Sequence, residues 1–149
     1  MCGRPLPAVL VQSHAPARFP IAPRAAHGRQ AMSTAEIAHD FVALCQEGKF
    51  GDAGEKYWAS DVVSIEAMGD DPVSHGIEAV RAKGEWWANA HEIHAAETYG
   101  PFVAGDQFAV RFVIDTTFKE TGQRNRMEEI ALYTLRDGKI VEELFLYGG

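Results

Sequence analysis

A chain of 149 residues, 46% hydrophobic and 23% charged, has room for one domain around a single buried core. The net charge is −7 but unevenly spread: residues 1–31 carry Arg4, Arg18, Arg24 and Arg29 and no acid, so all 21 Asp and Glu fall in 32–149 and leave that part at −11. So acidic a domain repels a phosphate backbone, which excludes nucleic acid as an expected partner. The longest uncharged apolar run, around residues 8–11, is far too short to span a membrane, so no membrane partner is expected.

Residues 1–31 hold five of the seven prolines (Pro5, Pro7, Pro16, Pro20, Pro23), so spread that no helix or strand runs through them. The segment is acid-free and Arg-bearing like an organelle transit peptide, but it is poor in Ser and lacks an amphipathic helix. Prolines also interrupt any secretory apolar stretch. It is expected to be a disordered leader or the product of an upstream start, with Met32 beginning the working protein and the domain occupying 32–149. Cys2 and Cys45 stand at no metal-ligand spacing, and a reducing cytoplasm is the expected compartment.

Ser33-Thr34-Ala35-Glu36 is a capping-box pattern and marks the start of structure. Ile37, Phe41, Leu44 and Cys45 follow at i, i+4, i+7 and i+8, an amphipathic helix ending near Gly48. A second short helix fits 51–57, closed by Trp58. VVSIEAM (62–68) reads as a strand and Gly69-Asp70-Asp71-Pro72 as a turn. After Gly76 a third helix sets Ile77, Val80, Gly84, Trp87, Ala88 and His91 on one face. FAVRFVIDTTF (108–118) is a long strand turning through Thr121-Gly122. MEEIALYTL (127–135) and IVEELFLY (140–147) are strands joined by the tight hairpin turn Arg136-Asp137-Gly138-Lys139. Helices first and hairpin-linked strands after predict an α+β domain, with helices laid across one face of an antiparallel sheet.

The stretch WWANAHEIH (86–94) places His91 and His94 three apart, with Glu97 three further on. Those three converge as metal ligands only if the third helix runs on through residue 97.

The element order, the phrase YWASDVVSIEAMGDDPVSHG (57–76) and the ending YTLRDGKIVEELFLY (133–147) together resemble the SnoaL-like branch of the nuclear transport factor 2 superfamily. A bacterial group within it shares the W-W-x-x-x-H-E-x-H and R-D-G-K-I-V-E-E phrases. Ketosteroid isomerases and polyketide cyclases have the same fold. The resemblance covers about 33–147 and implies a cone: three helices packed on a strongly curved antiparallel sheet, with a pocket opening at one end. It also implies that helix 3 stops near Ala90 or His91 and that EIHAAETY is a strand. His94 and Glu97 then point to opposite faces, and no metal and no cofactor is expected.

In ketosteroid isomerase an Asp on the first long strand shuttles the proton, while a Tyr and a protonated Asp hold the oxyanion. The resemblance puts Glu66 at the base position, where burial in an apolar strand suits a carboxylate to general-base work. The oxyanion positions match Phe41 or Val42 and Ala131, none of which donates a hydrogen bond, so the steroid constellation does not carry over. Beside Ala131 the matching brings Glu129 and Tyr133 into the pocket, then Glu143, Phe145 and Tyr147 from the last strand. Val110, Phe112 and Ile114 supply apolar wall, and Phe41, Trp58 and Trp87 complete the lining. His91 and His94 are candidate proton-transfer partners of Glu66 across the cavity.

For each group a plainer role stands beside the chemical one. Strand carboxylates form exposed or dimer-facing rows, tryptophans pack, His75 caps a helix, and Arg111, Asp115, Arg124 and Arg126 pair across strands. No G-x-S-x-G and no Gly-rich phosphate loop is present. Two functions remain open. One is a cofactor-independent isomerase, cyclase or dehydratase acting on a small hydrophobic carbonyl compound. The other is a non-catalytic ligand-binding or assembly domain. Either takes a neutral or cationic small organic ligand, and the convex sheet face predicts a homodimer.

Overall fold

The computed structural model describes residues 31–148; the expected leader, Ala31 apart, lies outside the described residues. Helix α1 spans Thr34–Gln46. Both halves of its capping box are present, the Glu36 amide donating to Ser33 Oγ at 3.2 Å and the Ser33 amide to Glu36 Oε2 at 2.6 Å. Its buried stripe is Ile37, Ala38, Phe41, Val42 and Cys45, the i, i+4, i+8 pattern of a helix with one face in a core. Helix α2 (Phe50–Tyr57) runs directly into β1 (Trp58–Ile65), and a short strand, β2 (Val73–His75), folds back on it.

Helix α3 covers Ile77–Ala90 and stops where His91 turns extended. The third helix therefore does not reach residue 97. Three long strands and a shorter one complete the domain: β3 (His91–Ala104), β4 (Gln107–Phe118), β5 (Gln123–Arg136) and β6 (Lys139–Leu146). Asp137 and Gly138 both have positive φ, 52° and 75°, at the β5–β6 turn, as a two-residue Asp-Gly hairpin requires.

The sheet order is β2-β1-β6-β5-β4-β3. Every pairing is antiparallel except that of β1 with β6, which is parallel. That departs from the fully antiparallel sheet expected. Neighbours far apart in sequence are not joined by a hairpin, so no turn imposes antiparallel direction on them. The extra strand β2 was not legible because three residues carry no alternation signal. Register breaks in β1, β3 and β5–β6 bend the sheet.

On β4, Phe108, Val110, Phe112, Ile114 and Thr116 alternate inward and are buried. The Phe41 ring lies 5.6 Å from Phe108 and 4.7 Å from Tyr133. Phe41, Phe112, Ile114, Ala131 and Tyr133 were expected to line a pocket; they are instead nearly inaccessible and belong to the packed core, where α1 packs on β3 and β4. Helix α3 contacts β1 and β2 at one end and β3 at the other. It thus bridges across the inner face of β6 and β5. Its sheet-facing residues are Ile77, Val80, Lys83 and Trp87; Gly84 and Ala88, expected on that face, are exposed. Lys83 turns inward where Gly84 was expected.

Candidate functional site

Cross-strand pairing places inner-face residues side by side. Ser64 on β1 sits opposite Glu143 on β6, Glu143 opposite Tyr133 on β5, and Glu129 on β5 opposite Phe112 on β4. Alternation carries Glu66 inward two residues after Ser64, and Phe145 and Tyr147 inward after Glu143. Three carboxylates therefore gather beneath α3, and Lys83 descends among them.

Lys83 Nζ donates to Glu66 Oε1 at 2.6 Å and to the Ser64 hydroxyl; it stands 3.9 Å from Glu143 Oε1 and 4.8 Å from the Phe145 ring centroid. Tyr147 Oη donates to the other Glu66 oxygen at 3.1 Å. Both Glu66 oxygens are thus engaged. Glu143 is only 3% exposed; it accepts from Trp58 Nε1 at 3.0 Å and from Ser64. Burial pushes its carboxyl above the usual range, against the hydrogen bonds from Ser64 and Trp58 and the nearby Lys83 charge.

Glu129 differs from both. No hydrogen bond or ion pair holds it among the described residues. Burial first, then repulsion from Glu66 and Glu143, pushes its carboxyl up to about 7, with Lys83 pulling the other way. It is a carboxyl poised to gain and lose a proton near neutrality, with a cation in its field and no partner occupying it.

The histidines lie elsewhere. His91 begins β3 at the inner face, its ring stacked on Trp87 at 4.5 Å and set against Phe118 at 5.3 Å. His94 falls at a register break in β3 and bonds through Nε2 to Thr117 Oγ1 at 2.7 Å on the outer face. It is exposed there and does not reach across the cavity to Glu66. The break also puts His94 and Glu97 on the same face, where strict alternation had separated them. Glu97 stands 3.7 Å from Arg126 and accepts from Tyr99. His91 faces the other way, so the three never converge. Among the described residues no group of three His, Cys, Asp or Glu could hold a metal ion. Arg124 pairs with Asp115 and Arg111 with Glu128 across β4 and β5.

Lys83 and Ser64 were missed in the sequence. A signal existed for Lys83, which lies three residues after Val80 and four before Trp87, on their face of the helix. A lysine in an amphipathic helix is ordinarily solvated, however, and nothing local says that carboxylates await it. For Trp58 the position is also held from behind: a Cβ on Gly54 would land inside the indole. Gly54→Ala is therefore expected to force the indole off Glu143 and to cost about 1–3 kcal/mol. Urea unfolding and the tryptophan emission maximum check this; unchanged stability with an unshifted emission would contradict the contact.

This arrangement can be set beside known proteins. The SnoaL-like domain family matches residues 32–147, nearly all of the described chain. The chain belongs to the SnoaL-like family. Within it, a crystal structure from Mesorhizobium loti, described as a candidate SnoaL-like polyketide cyclase and, in brackets, as a carbohydrate phosphatase, is 52% identical. That match covers 78% of this chain and all of the other, with a TM-score of 0.76. A candidate SnoaL-like polyketide cyclase from Jannaschia (16% identity, 80% and 90% covered, TM-score 0.63) and a candidate isomerase from Bacillus subtilis (19%, 78% and 90%, 0.64) share the fold. No curated protein is significantly similar. No helix among the described residues is long and apolar enough to cross a membrane.

Proposed function

We propose that this SnoaL-like protein is a cofactor-independent enzyme of the isomerase or cyclase kind, which moves a proton on a small, mostly apolar carbonyl compound, with Glu129 as the base. The observation that carries this is the unpartnered Glu129 carboxyl, pushed up to about 7 by burial and by Glu66, with the Lys83 charge pulling the other way. A base with a pKa near the working pH combines a useful ionised fraction with real proton affinity. The step is the transfer of a proton from the carbon next to the carbonyl onto a Glu129 oxygen, the C–H electrons forming an enolate. Returning the proton to another carbon isomerises the substrate; attack of the enolate carbon on a second carbonyl cyclises it. Lys83 holds three donors, of which Glu66 and Ser64 take two; the third is available to the enolate oxygen.

Glu66, expected as the base from its position on the first strand, serves in this proposal as the anchor of Lys83, because both its oxygens are already bonded. The experiment is deuterium incorporation from D2O into a panel of small ketones and β-dicarbonyl compounds, followed by NMR. Exchange above the buffer rate, rising through about pH 7 and lost in Glu129→Gln, supports the reading. No catalysed exchange, or exchange that survives Glu129→Gln, overturns it.

A second reading, a binding or assembly domain, draws on the outer sheet face. Ile130 and Leu146 are cross-strand partners there, 46% and 49% exposed, and Leu132 pairs with Leu144 beside them. We infer a homodimer through this face, compatible with either function. Ile130→Glu is expected to convert the dimer to a monomer in sedimentation velocity; a wild-type monomer, or a variant that stays dimeric, argues against it. Cys45 is free and buried, which fits a reducing cytoplasm.

A further inference from the structure

Beyond Glu129 the inner face opens into a cleft of about 190 Å³, lined by His91, Thr116, Phe118, Gln123, Asn125 and Met127. Its floor is two rows of cross-strand partners: His91, Phe118 and Gln123 in one, Thr116 and Asn125 in the next. Met127 then separates the cleft from Glu129, two residues further along the same face of β5. The lining is hydroxyl, amide, thioether and ring, with no carboxylate, lysine or arginine.

The state of His91 follows from its contacts. Nδ1 lies 2.8 Å from the Trp87 carbonyl oxygen. A carbonyl only accepts, so Nδ1 carries the proton, and in the neutral ring Nε2 is the bare acceptor. The ring cannot turn freely to exchange them, since Trp87 stacks on it and Phe118 and Trp86 flank it. Nε2 has no partner among the described residues. The helix end therefore fixes the tautomer and leaves His91 one unoccupied polar atom to offer the cleft.

We propose that this cleft is a binding subsite for a neutral, single-ring group bearing a hydroxyl, whose O–H donates to His91 Nε2. The volume is below that of pockets for drug-sized molecules, so it takes one ring rather than a fused system. Thr116 and Asn125 meet any further polar substituent, and Met127 and Phe118 pack on the ring. Assigning that ring to the substrate of Glu129 rests on the proton-transfer reading; the binding itself does not.

The test uses the full chain labelled with 15N, at about pH 8.5, where histidine is ordinarily neutral. Phenol and anisole are the probes, being alike in shape but differing in the donor. The expected results are an Nδ1–H tautomer for His91 and a saturable phenol-induced shift at its Nε2, with the Met127 methyl moving in step. Anisole leaves Nε2 unshifted, and His91→Phe, which keeps a stacking ring, binds phenol about tenfold more weakly. A proton on Nε2, equal binding of phenol and anisole, or undiminished phenol binding in His91→Phe overturns the proposal. Should the variant fail to fold, the tautomer and the phenol–anisole contrast in the wild type still decide. None of these readouts involves turnover, so a cleft that ignores phenol and a Glu129 that moves no proton are separate failures.

Discussion

Glu129→Gln is expected to lower turnover by about 10²–10⁴-fold, the usual contribution of a positioned base, and at the same time to make the protein more stable above neutral pH. The second effect follows from proton linkage. The carboxyl ionises near 4.5 in the unfolded chain and near 7 in the folded one, where burial and the two neighbouring carboxylates disfavour its charge. Below pH 4.5 both states hold the proton and the residue contributes no pH dependence. As pH rises from 4.5 to 7 the unfolded chain releases its proton first, so stability falls; above 7 both states are ionised and the penalty levels off at about 3 kcal/mol or less. Glutamine removes that slope. Urea unfolding of both proteins at about pH 4 and pH 8 should show a gap that opens only at the higher pH. Glu143, also raised by burial, slopes the same way in both proteins, and the loss of its repulsion from Glu129 in the variant widens the gap in the same direction. A variant less stable than wild type at pH 8, or a gap equal at both pH values, would contradict the half-buried, unpartnered Glu129. Gain of stability with loss of activity at one residue is the signature of a functional group held against its own preference.

Lys83→Met is the second large effect, in the opposite direction. The Lys83 and Glu66 side chains are 25% and 27% exposed and Glu143 is almost wholly buried; among the described residues no other cation pairs with either carboxylate. Breaking a buried ion pair from one side costs about 3–5 kcal/mol because the remaining charge is stranded. Partial solvent access at Lys83 lowers the expectation to about 2–4 kcal/mol. Part of the methionine's packing against Phe145 offsets the lost stem contacts. The loss should be larger at pH 8 than at pH 5, because the Glu143 carboxyl, raised by burial, takes up a proton more readily at the lower pH once the Lys83 charge is gone. A double-mutant cycle with Glu66→Gln isolates the pair, and a coupling above about 1 kcal/mol is expected. A cost no greater than that of an exposed surface pair, about 0.5 kcal/mol, would show that Lys83 is solvated rather than built into the cluster.

These two residues show where sequence patterning works and where it stops. The capping box at Ser33, the helical stripe through Cys45, the alternation of 108–118 and the Asp-Gly turn at 137–138 are all local. Their periods of 3.6 and 2 are imposed by backbone geometry, so each was legible without knowing its neighbours. Even the inward direction of Glu129, Glu143, Phe145 and Tyr147 followed once one residue of each strand was oriented. The departures came where non-local contacts decide. A bulge at His94 shifted the phase of β3 by one residue and brought Glu97 to the outer face that His94 occupies. The parallel β1–β6 pairing joins segments some eighty residues apart, and no turn sequence encodes it.

The sequence by itself determined the helices and long strands, the α+β class and the presence of several carboxylates on one sheet face, but not the short strand β2 or the parallel β1–β6 pairing. Which of those carboxylates is tied to a lysine, which is buried among donors and which is left without a bond was decided only by the tertiary structure. Protonation depends on distance to charge and on water access, and both are set by residues remote in the chain. Glu66, Glu129 and Glu143 are the same side chain on neighbouring strands. Lys83, arriving from a helix, ties up one of them and stands 3.9 Å from another, and the third is left without a bond, its carboxyl pushed up by burial and by its two neighbours.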